Sequence, residues 1–358
     1  MAPSYKRESG FSLIEIMVAM LIGLIGTIII FQVFAISEAQ KRTTTGVSDA
    51  QQNGLLALFS LEREARSAGY GISYEPLAGC LVRAYDGGDG TAVPPIVAHD
   101  FTFTLSAVQI TDGAAGAPDS ITFVYGNSNL AVAPAKLTSD STVNATMNKV
   151  DNRFGYLVND KIVSGEAGKE CTLRQISALP SAAGSLDQIE HTAGRYNKAG
   201  GVATTYNSWD NTSLSGGRLS TLGQAPVVVT YSIIGNQLQA QDFMAGTPRA
   251  AVVDSIVQLQ AEYGKGDASG NITAWDTTAP ASNIEWGRVI AVRLAVVARS
   301  QTPERPNQTT FLCDTTTVAP TWKGGTAINL TADPDWQCYR YRTFETTVPI
   351  RNQIWKPE

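Results

Sequence analysis

Few residues in this chain are equipped for chemistry. It has two histidines, His99 and His191, and four cysteines, Cys80, Cys171, Cys313 and Cys338. No H-E-x-x-H, G-x-S-x-G or G-x-x-x-x-G-K-[ST] occurs, so the usual signatures of metalloproteases, serine hydrolases and phosphate loops are missing. A lone loop histidine is most often only that, and without a C-x-x-C spacing the cysteines favour bonding to each other over holding a metal. Asp267-Ala268-Ser269-Gly270-Asn271-Ile272-Thr273 sets oxygens at alternate positions. It lacks the central glycine and closing glutamate of a calcium loop and reads as a turn. Asp86-Gly87-Gly88-Asp89-Gly90 reads as a flexible connection rather than an ion site. These residues lead to a non-enzymatic chain with no cofactor and no metal. The charge that needs an explanation is Glu15, the only one between Phe11 and Ser37. At the centre of a bilayer a charged side chain costs about 2.5 to 3.5 kcal/mol on insertion scales.

The element that carries Glu15 is a long apolar run. Residues 16–36 are interrupted only by the mildly polar Thr27 and Gln32, and at helical rise they span about 30 Å, the thickness of a bilayer's hydrocarbon. The run is too long for a secretory signal core, and no small-residue cleavage site follows it. Lys6 and Arg7 precede it, so the positive-inside bias keeps residues 1–10 in the cytoplasm and sends the remainder outward.

Gly10 followed by Phe11-Ser12-Leu13-Ile14-Glu15 resembles the processing site of type IV prepilins and pseudopilins. The resemblance implies a leader, residues 1–10, removed after Gly10 by a dedicated prepilin peptidase that also methylates the new amino terminus at Phe11. The new ammonium would lie one helical turn from Glu15 on the same face. The two can pair within a chain, or Glu15 can reach the Phe11 amine of an adjacent subunit and set axial register. Ser12-Leu13-Ile14-Glu15 equally fits a capping box that satisfies first-turn backbone donors. The two roles are compatible, and Glu15→Gln separates them.

The helix is expected to continue well past the apolar run, with residues 11–36 in the membrane and 37–70 outside it, about 85 Å in all. Such a helix is the other hallmark of pilin-like subunits. Leu55, Leu58, Leu61, Ala65 and Ala68 form a stripe expected to pack on a sheet, with Glu62 and Arg66 spaced for a surface ion pair. Gly69 and Gly71 supply the stop. Ala19, Gly23 and Gly26 permit close helix approach within the membrane, the alternative being ordinary tolerance of glycine there. No proline lies between Phe11 and Gly71, a departure from many major pilins.

Residues 71–358 read as strands and loops, giving an α+β, pilin-like fold: a long helix on an antiparallel sheet. The clearer strands cover residues 101–110, 120–125, 227–234, 237–243, 257–263, 289–298 and 340–348, with Gly235-Asn236 as a hairpin turn. A polar, small-residue stretch at about 127–225 reads as an insertion, either an elaborated loop or a small β lobe. The cysteines follow an exporting segment, so two disulfides in an oxidising compartment are the natural reading. Of three possible pairings, Cys80–Cys171 with Cys313–Cys338 is expected, because the second closes a compact loop and each pair then staples one lobe. The tryptophans Trp209, Trp275, Trp286, Trp322, Trp336 and Trp355 read as core or interface residues. The net charge is −5, with no basic block beyond the membrane run, which argues against nucleic acid.

Residues 288–300 and 341–352 are similar to the closing strands of PilW-family minor pilins. Arg288, Arg293 and Arg299 within them read as solvent-facing on an edge strand. The resemblance implies a minor pilin that helps initiate or build a type IV pilus in a tip complex. Its partners would be other minor and major pilins, the prepilin peptidase, the inner-membrane assembly platform, a tip adhesin and membrane lipid. The globular part would lie in the periplasm and finally at the cell surface. The alternatives are a J-like minor pseudopilin of type II secretion and a pilin-anchored adhesin or ligand-binding module.

Overall fold

The structure is a computed structural model that describes residues 10–72, 75–92, 95–128, 130, 133–198, 204–213, 215–307, 309–324 and 328–354. Residues 1–9, most of the expected leader, and Trp355 lie outside the described residues. One helix, α1 (Leu13–Ser67), runs unbroken for 55 residues. Its C-terminal end is closed in two ways. Gly69 and Gly71 take positive φ values of 84° and 76°, which glycine adopts without a steric penalty. The Asn352 amide then donates to the carbonyls of Ser67 and Ala68 at 3.2 and 3.0 Å, satisfying acceptors that a helix end leaves open.

Strands make up the ordered body. They are β1 (Leu81–Asp86), β2 (His99–Thr104), β3 (Val108–Thr111), β4 (Ser120–Tyr125), β5 (Ala135–Lys136), β6 (Met147–Lys149), β7 (Lys161–Gly165), β8 (Cys171–Gln175) and β9 (Gln188–Glu190). The second half continues with β10 (Arg218–Gly223), β11 (Val227–Ile234), β12 (Gln237–Asp242), β13 (Ala250–Asp254), β14 (Ile256–Gly266), β15 (Ile272–Asp276), β16 (Val289–Arg299) and β17 (Tyr341–Pro349). Two short helices, α2 (Asn283–Gly287) and α3 (Arg351–Ile354), flank the last two strands.

Three larger sheets result, ordered β15-β14-β16-β17, β13-β12-β11-β4-β3 and β2-β1-β8-β7-β10-β5. The pairs within them are antiparallel except β1 with β8. The first sheet carries the helix. Along β16 the side chains of Val292, Leu294, Val296 and Ala298 join the core beneath α1. The alternate residues Ala295 and Val297 pack under Trp322, Ile328 and Leu330 of the long arm between β16 and β17. Both faces of β16 are therefore covered, which is why its sequence is a nearly continuous apolar run rather than an alternating one.

Several expectations require correction. Residues 101–110 are two strands: the chain turns at 105–107 and crosses from the β1 sheet to the β4 sheet. The buried stripe of α1 contains the expected Leu61, Ala65 and Ala68, with Leu58 packed against it, and continues through the small Ala50 and Ala57. Leu55 is 54% exposed and points away. Small residues win because they let the sheet approach the helix axis. Gly46 lies where a Cβ would stand 3.1 Å from that of Ser300, and Gly54 sits directly under the Phe344 ring. The arginines of β16 are not on an edge either, since β16 lies between β14 and β17. Arg293 pairs with Glu262 at 3.0 Å in a largely buried contact and Arg299 pairs with Asp333 at 2.5 Å; Arg288, at the end of α2, is exposed. Asp86, read as part of a flexible connection, is fully buried and bound to Arg195 at 2.5 Å.

The stretch 127–225 supplies β5 to β10, and four of these strands join β1 and β2 in a single sheet. A local core of Leu137, Val150, Tyr156, Ile162, Ile176, Ile189, Tyr206 and Leu219 lies within it. Polar composition hid these strands because most have only three to six residues, too few for a periodicity to stand out.

Candidate assembly surface

The N-terminal half of α1 stands clear of the body. From Phe11 to Ile36 its large apolar side chains are 48% to 86% exposed, and a Cβ added at Gly23 or Gly26 would meet nothing within 4 Å. Glu15, Ala19, Gly23 and Gly26 follow one another at four-, four- and three-residue steps, so they share one helix face. At the start, Ser12 is the N-cap: its hydroxyl accepts from the Ile14 amide at 3.3 Å, and its own amide donates to Glu15 Oε2 at 2.9 Å. The reciprocal cap uses one carboxylate oxygen. Phe11, immediately before it, is 86% exposed.

Where the helix leaves the apolar run, the body clasps it. The Thr43 hydroxyl donates to Glu304 Oε1 at 2.9 Å, and Arg340 Nε donates to the same oxygen at 3.0 Å. Partial burial would raise the Glu304 pKa, but the bonds from Arg340 and Thr43 outweigh it and hold the carboxyl below its ordinary range. Farther up, Glu64 lies on the docked face, where Tyr125 donates to it at 2.6 Å and Arg63 at 2.9 Å. Burial, reinforced by Glu64, raises the Tyr125 hydroxyl well above its usual range. The disulfides Cys80–Cys171 and Cys313–Cys338 bridge Cα atoms 5.9 and 4.8 Å apart. The first ties β8 to the turn before β1, and the second closes the arm beside the helix.

The remaining candidate groups are scattered. The exposed His99 meets the Val97 carbonyl at 3.0 Å through its ring and lies against the Phe101 ring. His191 is buried, and burial together with Arg174 pushes its imidazole down to about 4. Asp119, 1% exposed, accepts from the amides of Gly113 and Ala261 at 2.8 Å each. Burial pushes it up to about 6 against those two bonds, with Asp112 adding to the rise. The Asp267 carboxylate accepts from the amides of Ser269 and Asn271 and closes a turn. Among the described residues no group of three histidine, cysteine or acidic side chains could hold a metal ion.

Sequence reading missed Gly46, Gly54, Glu64 and Glu304. The first two were findable, since Gly46, Ala50, Gly54, Ala57 and Leu61 recur at three- and four-residue steps. The glutamates were not, because their partners are distant in sequence.

The chain's two ends also match known families. Residues 5–31 match the prokaryotic N-terminal methylation motif, and residues 230–352 match Type IV Pilus-assembly protein W. No curated protein and no solved structure matches. The second match spans β12 to β17, including the strands that hold α1, and the first spans the start of the helix they hold. The two partial matches make the chain similar to PilW-type pilus-assembly proteins in its closing strands and to N-methylated pilins at its start, and together they support a type IV pilus-related pilin.

Proposed function

We propose that this protein is a non-enzymatic minor pilin that is cut after Gly10, methylated at Phe11 and used to initiate or build a type IV pilus, in a tip complex with other minor pilins. Residues 11–36 hold it in the inner membrane with the body in the periplasm. After cleavage the Phe11 ammonium and the Glu15 carboxylate lie one turn apart at the membrane edge. The cap engages only one Glu15 oxygen, so the other is open to an ammonium from the same chain or from a neighbour. Pairing between subunits fixes how far one helix slides along the next, and Ala19, Gly23 and Gly26 let the helices approach closely. The observation that carries this reading is an apolar helix exposed on every side, whose one acid lies a turn from the family's cleavage position.

Mass spectrometry of the mature amino terminus tests it. An N-methylated Phe11 is expected, and a functional chain that retains residues 1–10 would overturn it. Deletion should remove surface pili while exoprotein secretion continues. Secretion lost with pili intact would move the protein to the secretion machine.

A further inference from the structure

We infer that residues 305–307 and 309–312 form a second membrane contact, an interfacial wedge in which Phe311 and Leu312 enter the lipid headgroup region beside α1. The inference rests on the membrane reading of residues 11–36. Its starting point is the direction of β16. At one end the Ile290 carbonyl accepts from Ile350, next to the closed end of α1. At the other end Ser300 lies against Gly46. The strand therefore runs toward the apolar end of the helix, and the chain continues that way. The Pro303 carbonyl accepts from Arg42 at 3.5 Å and Glu304 from Thr43 at 2.9 Å.

The return path is also fixed. The Glu304 amide donates to the Cys338 carbonyl at 2.7 Å, Cys338 is bonded to Cys313, and the Arg340 amide donates to Ser300 at 3.3 Å on the way into β17. Residues 305–307 and 309–312 thus belong to a closed excursion that leaves from Glu304, at the end of the sheet nearest the apolar run of α1. Thr43 lies seven residues after Ile36, about 10 Å along the helix. The three steps from Glu304 to Asn307 can cover roughly 10 Å in extended chain, comparable to that rise, before the turn that carries Phe311 and Leu312.

The tip is apolar and held in shape. Phe311 is 81% exposed and Leu312 69% exposed. Phe311 takes a positive φ of 58°, uncommon for a bulky residue. Asn307 imposes this: its carbonyl accepts from the Phe311 amide at 2.8 Å, its amide donates to the Leu312 carbonyl at 2.9 Å, and its side chain accepts from the Thr309 amide at 2.9 Å. Two adjacent apolar side chains at the rim of a membrane-spanning helix have a ready solvent in the acyl and headgroup boundary. Arg42 holds the Pro303 carbonyl beside the loop and Arg305 lies within it, while Glu304 is engaged by Arg340 and Thr43 and Asp314 by Asn307.

The test places nitroxide labels on the full chain in vesicles of phosphatidylethanolamine and phosphatidylglycerol, at Ile25→Cys, Phe311→Cys, Leu312→Cys and Val318→Cys in turn. Val318 belongs to the same arm and is 76% exposed, but it follows the disulfide on the climb back along the sheet. The ratio of oxygen to aqueous nickel accessibility should be highest at 25, and several-fold higher at 311 and 312 than at 318. If 311 and 312 match 318 while 25 is deep, the wedge is refuted and the membrane helix stands. If 311 and 312 are immobile and shielded from both reagents, the loop packs on protein, a second copy included, and the wedge is refuted as well. If 25 itself is aqueous, the membrane reading fails first.

Discussion

The ring of Phe344 in β17 lies flat over Gly54 of α1, in the space that any side chain at position 54 would need. The contact belongs to the seam of small residues that brings the sheet onto the helix. It also gives a mutation whose sign is informative. Glycine inside a helix is about 1 kcal/mol less favourable than alanine, so on propensity alone Gly54→Ala would stabilise. Overpacking a tight contact costs about 1 to 3 kcal/mol and should win, leaving the variant less stable. In a Phe344→Ala background the obstruction is gone, and Gly54→Ala should then stabilise by about 1 kcal/mol. Urea unfolding of the four proteins in a double-mutant cycle reads this reversal.

Glu15→Gln separates the cap from the charge. Glutamine can still accept from the Ser12 amide, so helix content by circular dichroism should equal that of the unmutated chain. The negative charge beside the amine proposed at Phe11 is lost, and incorporation into sheared surface pili should fall by an order of magnitude or more. Normal incorporation would show that Glu15 serves the helix alone.

Asp119 and His191 should give opposite responses to acid. The Asp119 carboxyl rises from 3.8 to about 6 in the folded protein, so its contribution is fully present below the unfolded value and is lost as pH climbs through 6. His191 falls from 6.5 to about 4, so its contribution is present above 6.5 and lost as pH drops through 4. Each is about 3 kcal/mol by linkage. Asp119→Asn should flatten the first slope, at about 1 kcal/mol for the amide proton it can no longer satisfy. His191→Phe should flatten the second. Unfolding free energy measured from about pH 4 to 7 on each variant separates the two.

Removing the disulfides should have unequal effects. Cys80 and Cys171 are 91 residues apart and Cys313 and Cys338 are 25 apart, so loop-closure entropy assigns them about 4.5 and about 3.5 kcal/mol. Paired cysteine-to-alanine variants, followed by thermal denaturation, should show the larger drop for Cys80–Cys171, which also lies in the core shared by β1 and β8.

The sequence made the helix and the last strands legible because their patterns are long. An apolar run, a Ser12–Glu15 cap, two glycines at Gly69 and Gly71, and a β16 hydrophobic on both faces each announce themselves locally. On the docked face of α1, Leu58, Leu61, Ala65 and Ala68 were legible from their spacing; Leu55 was not on it, and the small Ala50, Gly54 and Ala57 that close packing selected went unread. Strands β5 to β10 were missed because a polar three-residue strand has no period to detect. Arg293 looked solvent-facing until the fold brought Glu262 beside it; such pairings depend on register, which the sequence does not display. Glu15 was conspicuous for the opposite reason, as one charge in a long stretch without any.

Asn352, 284 residues farther along the chain than Ala68, caps the carbonyls that end α1. During synthesis the helix therefore emerges well before the groups that complete it. Its docked face waits on β16 and β17, more than two hundred residues later. Folding of the head is consequently vectorial and late, with contacts of high sequence separation that slow it. The newborn protein passes through an interval in which the rod is made and its cradle is not.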